Sequence, residues 1–124
     1  MKSYTNLEQS KKLAEILPTE SADMFYTTNC DWEGKIISLL DVPLYIGSDS
    51  FVDTETGEIY AWSLAALLDV LPNGTDVVKE ETDTENEKYM CTVGIKDDII
   101  STFANTPVDA CVAMIEKLHE LNLL

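Results

Sequence analysis

The clearest pattern of hydrophobic and polar positions lies at residues 105–124, where apolar side chains recur at helical spacing. Thr106 is placed to cap this helix, and Pro107 suits its first position. Asp109 suits the positive end of the helix dipole. The predicted buried stripe consists of Val108, Cys111, Val112, Ile115, Leu118 and Asn122. Such a helix needs an apolar partner, and we expect a sheet formed by the strands before it.

Two further helices are predicted from caps and apolar periodicity. Thr5 and Glu8 form the T-x-x-E pattern of a capping box, and Pro18 ends the first helix. Ser63 is the predicted cap of the second helix, and Trp62 precedes it as a hydrophobic staple. The apolar positions are Leu7, Leu13, Ile16 and Leu17 in the first helix, and Leu64, Leu67, Leu68 and Leu71 in the second.

Short β-prone runs fill most of the remaining chain. Three of them, at 24–28, 35–40 and 44–47, precede the second helix, and a loop is predicted at 47–58. After that helix, strands at 76–82, 88–93 and 99–103 predict a β-meander with turns at 83–87 and 94–98. The order of elements predicts an α+β fold: an antiparallel meander sheet packed by about three helices in a two- or three-layer sandwich. The length of 124 residues predicts a single domain, 1–124.

The net charge of the chain restricts the possible partners. The chain has 23 acidic residues against 8 basic ones, a formal net charge of −15, and all the bases are lysines. This balance argues against binding of nucleic acid or of an anionic membrane, because proteins that bind either of them use basic surface patches. Two interpretations remain open. The acidity keeps the protein soluble, or it forms a surface that attracts a basic protein partner or imitates nucleic acid.

The N-terminal segment is polar and has no apolar core, so we predict no signal peptide. No apolar run approaches the length of a membrane span. Cys30, Cys91 and Cys111 are an odd number at wide spacings, which favours reduced core thiols over disulfides or a zinc site. The predicted location is cytoplasmic.

Candidate chemistry is sparse in this sequence. His119 is the only histidine, and Cys111 lies about two helical turns before it, too far for a direct hydrogen bond. The stretch from Asp53 to Glu58 does not match the spacing of an EF-hand calcium loop. Phosphate-binding, nucleophile-elbow and zinc-protease motifs are missing from the sequence. We therefore predict no catalytic residues, no metal site and no cofactor.

Residues that bind a partner are predicted from two features. An acidic cluster falls on the first hairpin of the meander, and aromatic side chains on an open sheet face can anchor a protein partner. The residues concerned are Asp76, Glu80, Glu81, Asp83, Glu85, Glu87, Trp32 and Tyr45.

Three stretches, TNLEQSKKLAEILPTESADM, AWSLAALLDVLP and NTPVDACVAMIEKLHELNLL, carry a family resemblance. Together they resemble a family of small uncharacterised proteins from gut-bacterial prophages and mobile elements. The second half also looks like the phage α-β-α sandwich domain. The resemblance implies an origin in a phage or mobile element and action in the cytoplasm of a bacterial host. It implies no reaction.

Three functions stay open from the sequence. The first is a non-enzymatic interaction or accessory protein. The second is an acidic inhibitor, or nucleic-acid mimic, that binds a basic host protein such as a defence nuclease. The third is a small enzyme of unknown reaction. A homo-oligomer is compatible with each of them.

Overall fold

The computed structural model describes residues 2–26, 28–30, 36–39, 43–46, 59–79 and 88–124. The helices of this part of the chain are α1 (Leu7–Ile16), α2 (Leu64–Val70) and α3 (Pro107–Glu120), with a 3-10 turn at Thr19–Ser21. The strands are β1 (Met24–Tyr26), β2 (Thr28–Cys30), β3 (Ile36–Leu39), β4 (Leu44–Tyr45), β5 (Ile59–Ala61), β6 (Asp76–Lys79), β7 (Tyr89–Ile95) and β8 (Asp98–Ala104). The predicted α+β fold is confirmed.

The strands pair as antiparallel sheets. The meander has the order β6-β7-β8, a second sheet has the order β4-β1-β5, and β2 pairs with β3. The predicted meander is therefore confirmed, with longer second and third strands. Gly94 pairs with Ile99 and Ile95 with Asp98, so the predicted turn at 94–98 shrinks to two residues. Lys96 takes a φ of 56° in that turn.

The second sheet contains a strand that the sequence pattern did not predict. β5 pairs with β1 along its whole length, with Tyr60 opposite Phe25. Ala61, at its end, is fully buried. β5 therefore sets the position of α2, whose cap follows two residues later at Ser63.

α3 lies at the centre of the fold. It packs on β6, β7 and β8, and both other helices contact it. α1 also contacts β5, so the helices join the meander to the second sheet. The buried residues of α3 are Pro107, Val108, Ala110, Cys111, Val112, Met114, Ile115 and Leu118. The buried surface is thus wider than the predicted stripe, because α3 has neighbours on more than one side.

Hydrogen bonds between residues close in the sequence cap both ends of α3. The predicted cap is confirmed, since the Asp109 amide donates to the Thr106 hydroxyl oxygen at 3.0 Å. Asn122 was wrongly predicted to be part of the buried stripe. It lies beyond the helix, is exposed, and has a φ of 58°. The Leu123 amide donates to the Leu118 carbonyl at 2.8 Å, and the Asn122 amide donates to that of His119 at 3.0 Å. Together these bonds form a Schellman motif.

Of the caps predicted for the other two helices, that of α2 is confirmed and that of α1 is wrong. Ser63 caps α2 as predicted, since its hydroxyl accepts from the Ala66 amide at 3.3 Å. The predicted Thr5–Glu8 capping box of α1 is wrong. The box is formed one residue later: Asn6 accepts from the Gln9 amide, and the Gln9 side chain accepts from the Asn6 amide. Thr5 is fully buried and bonded elsewhere, so its hydroxyl does not cap the helix.

Candidate interaction surface

The meander has two chemically different faces. Alternation along β7 turns the fully buried Cys91 and Val93 toward the core. It turns Met90, Thr92 and Gly94 to the opposite side, because neighbouring residues of a strand point to opposite faces. We call this opposite side the outer meander face. Its residues are Asp76, Val78, Met90, Thr92, Gly94, Ile99, Ser101 and Phe103.

Strand register arranges the outer meander face in rows. One row is apolar and crosses all three strands, with Val78 opposite Met90 and Met90 opposite Phe103. Val78 is 40% exposed and Phe103 47%. Side chains opposite each other on one face are close enough to form a continuous surface. The row is therefore a strip of apolar surface open to solvent.

The other two rows contain fewer large apolar side chains. Asp76 lies opposite Thr92, and Thr92 lies opposite Ser101 with their hydroxyl oxygens 3.4 Å apart. Beyond them, Gly94 lies opposite Ile99. Ile99 is 75% exposed. The space on the outer side of Gly94 is open, so the surface beside Ile99 is accessible.

An apolar cleft continues the surface around the end of the β7–β8 hairpin. It has a volume of about 530 Å³. Leu121 and Leu123, exposed by 49% and 44%, form the side contributed by the end of α3. The complete lining is Ile95, Lys96, Asp98, Ile99, Ile100, Leu121 and Leu123. Ile99 belongs to both the cleft and the outer meander face, and the row of Asp76, Thr92 and Ser101 separates it from the apolar row.

A second cleft, of about 390 Å³, lies between α1 and α3. Its lining consists of Lys12, Glu15, Ile16, Glu116, His119 and Glu120. Lys12 and Glu116 approach to 3.6 Å across it. His119 is exposed here, whereas Cys111 of the same helix is fully buried. The two side chains therefore face different environments.

The predicted partner-binding residues fall in different places. Asp76 is exposed on the outer meander face, opposite Thr92. Tyr45 is 58% exposed but belongs to the second sheet, where it lies opposite Met24. The structure does not bring Asp76 and Tyr45 into one sheet. The other predicted residues lie outside the described residues: Glu80, Glu81, Asp83, Glu85, Glu87 and Trp32.

The apolar residues of the outer meander face were not predicted as a site. A signal for them exists in β8, where Ile99, Ser101 and Phe103 alternate with Ile100, Thr102 and Ala104. Both sets contain large apolar side chains. An antiparallel strand with one solvated face normally alternates apolar with polar residues. A strand that is apolar on both sides therefore indicates a second apolar contact.

A polar network fixes the N-terminal segment to the start of α3. The Lys2 ammonium donates to a carboxylate oxygen of Asp109 and to the Gln9 side-chain oxygen, each at 2.7 Å. The side-chain nitrogen of Gln9 also donates to this carboxylate oxygen of Asp109 at 2.7 Å. Burial alone would raise the pKa of Asp109. The hydrogen bonds from Lys2, Gln9 and Thr106 outweigh burial and hold that pKa below its usual value.

The network predicts a pH-dependent contribution to stability. The native pKa of Asp109 is lowered, so its contribution is present above the unfolded value of about 3.9 and is lost as pH falls through the native pKa. Lys2→Met is expected to lower the free energy of unfolding by about 1 kcal/mol at pH 7. Urea denaturation at pH 7 and near pH 3 measures this. The difference from wild type should shrink at the lower pH.

Lys12→Met is the matched control. Lys12 is 67% exposed and its partner Glu116 is 3.6 Å away, so we expect a change below about 0.5 kcal/mol. An equal loss for Lys2→Met at both pH values would contradict the role of the Asp109 charge.

Comparisons with known proteins add no relative. No protein-family model matches the chain, and neither a curated protein nor a solved structure matches it. Within the described ranges, no helix has both the length and the apolar character that a membrane crossing requires. The same residues hold no group of three or more His, Cys, Asp or Glu side chains that could bind a metal ion.

Proposed function

We propose that this chain is a non-enzymatic protein-interaction module that binds its partner through the outer meander face. The observation that carries the proposal is the exposed apolar row of Val78, Met90 and Phe103, together with Ile99. Contiguous exposed apolar surface on a soluble protein is typical of a binding site. The adjoining cleft beside Leu121 extends the surface that a partner can contact.

Charge determines the kind of partner that we propose. A second copy of the chain also carries a net charge of −15, so long-range repulsion disfavours self-association. Asp76 lies on the outer meander face, and the acidic run 80–87 follows β6 in the sequence. A basic protein with an apolar patch surrounded by lysine or arginine complements both features. The family resemblance favours a phage or mobile-element origin and a partner in the bacterial cytoplasm.

The test compares wild type with one double variant and one control variant. The double variant Ile99→Thr/Phe103→Thr removes the apolar anchors and keeps residues that favour strands. The control, Leu68→Gln, replaces an apolar side chain that is 39% exposed on α2. The partner is first captured on tagged wild-type chain from bacterial lysate and purified, and its affinity for each variant is then measured.

We expect the double variant to bind the purified partner at least about tenfold more weakly, a loss typical of interface anchors. Leu68→Gln should bind as wild type does. Equal binding by all three chains would contradict the proposed surface. Turnover of a substrate by the purified chain, abolished by a single substitution, would contradict the non-enzymatic assignment.

A second function is favoured by the net charge alone. In this alternative the acidic residues Asp76, Glu80, Glu81, Asp83, Glu85 and Glu87 imitate nucleic acid and occupy the binding site of a basic host protein. Replacing each of these six Asp and Glu residues by Asn or Gln would then abolish binding, and salt near 0.5 M would do the same. Binding that survives both treatments but is lost in Ile99→Thr/Phe103→Thr favours the apolar surface.

A further inference from the structure

Two cysteines meet in the core where α3 packs on the meander. Cys91 on β7 and Cys111 on α3 are both fully buried and belong to one cluster of buried residues. Both are free thiols. The two cysteines therefore lie in the same buried contact between strand and helix.

Independent contacts place the same two residues together. Cys91 lies opposite Thr102 in the register of β7 and β8. The Thr102 hydroxyl donates to the Ala110 carbonyl at 2.8 Å. Ala110 is the residue immediately before Cys111. Thr102 thus holds this turn of α3 against the part of the sheet in which Cys91 lies.

We infer that Cys91 and Cys111 form a reversible dithiol–disulfide pair that links β7 to α3. This inference is independent of the proposed partner-binding function. The disulfide would close a loop of roughly 20 residues and restrict the unfolded chain. It would also fix α3, which contacts the meander and both other helices, to the middle strand of the meander.

The oxidation balances with a peroxide as the oxidant. The thiolate of one cysteine attacks one peroxide oxygen, the O–O bond breaks, and that cysteine becomes a sulfenic acid while hydroxide leaves and takes up a proton to form water. The sulfur of the other cysteine then attacks the sulfenic sulfur, the S–O bond breaks, and a second water leaves with the proton of the second thiol. Two thiols lose two electrons and two protons, and hydrogen peroxide becomes two waters.

In the closed core, interaction with Cys111 lowers the pKa of Cys91 against the effect of burial. Interaction with Cys91, and then burial, raise the pKa of Cys111. Either thiol can be the attacking group, since local opening removes both the burial and the contact that separate the two pKa values. Because both are fully buried, the oxidant reaches them only when the packing of α3 opens locally.

Peptide mapping tests the inference on the full chain. The folded protein is treated with hydrogen peroxide, unfolded, alkylated with N-ethylmaleimide and digested with trypsin without reduction. Cleavage after Lys88, Lys96 and Lys117 puts Cys91 in peptide 89–96 and Cys111 in peptide 97–117. We expect these peptides joined by a disulfide, with Cys30 alkylated. The melting temperature should rise by roughly 5–10 °C, and a reductant should reverse it.

Two comparisons make the result decisive. The linkage should also form in Cys30→Ser, which excludes exchange through the third thiol. Folded chain should give a higher yield of this linkage than chain oxidised in denaturant, because folding brings the two sulfurs together. Separate, alkylated 89–96 and 97–117 peptides after oxidation would overturn the inference. A dominant link to Cys30, or a yield no higher than in denaturant, would overturn it as well.

Discussion

Replacing Ile115 by alanine is expected to lower the free energy of unfolding by about 3–4 kcal/mol. Ile115 is fully buried on α3, in the cluster that joins this helix to its neighbours. The substitution removes buried apolar volume that the surrounding elements cannot all fill, since α3 packs on the meander and on two helices at once. Urea denaturation measured by circular dichroism gives the change directly.

Lys117→Ala is the control for this prediction. Lys117 lies on the same helix but is exposed, and alanine keeps the helix propensity. We expect a change within about 0.5 kcal/mol. A loss below about 1 kcal/mol for Ile115→Ala would show that α3 does not anchor the core as the structure indicates.

Replacing Thr5 by valine is expected to destabilise the protein by about 2–3 kcal/mol, although the two side chains have nearly the same shape. The Thr5 hydroxyl accepts from the Trp62 amide at 3.1 Å and lies 2.8 Å from the Ser10 hydroxyl, both in the buried interior. Valine leaves these groups without that partner in a site that water does not reach. Thermal and urea denaturation of the variant measure the effect.

Thr5→Ser separates the hydroxyl from the shape of the side chain. Serine keeps the oxygen and loses one methyl group, so we expect a loss of about 1 kcal/mol. The backbone of Thr5 also accepts from the Tyr26 hydroxyl at 2.8 Å and donates to the Trp62 carbonyl at 2.9 Å. Both variants keep these backbone bonds. Equal stability of Thr5→Val and wild type would contradict the importance of the buried hydroxyl.

Thr5 also shows where prediction from the sequence reached its limit. The segment offers two neighbouring cap residues, Thr5 and Asn6, and both are followed by a suitable partner three positions later. The choice is made by a distant residue, because the Trp62 amide donates to the Thr5 hydroxyl. A local pattern contains no information about that contact. The cap of α3 was predictable because the interactions of Thr106 and Asp109 are local.

The same contrast between local and long-range contacts decides which helices and strands were predictable. α2, α3 and the meander were predictable from periodicity and from local turn and cap residues. β5 was not, because its three residues become a strand only by pairing with β1. The candidate surface was missed for a similar reason. Val78, Met90 and Phe103 are ordinary strand residues along the chain, and only the register brings them into one row.

The position of α3 in the sequence has a consequence for synthesis of the protein. The ribosome makes the chain from its N-terminus, so α1 emerges long before the helix on which it packs. About 100 residues separate Leu13 from Ile115, and at roughly 5–20 residues per second this interval lasts about 5–20 s. During that time the apolar side of α1 lacks α3, and α2 and the meander lack it for the shorter interval between their own synthesis and that of α3. Chaperone supply and growth temperature are therefore expected to influence the yield of folded protein.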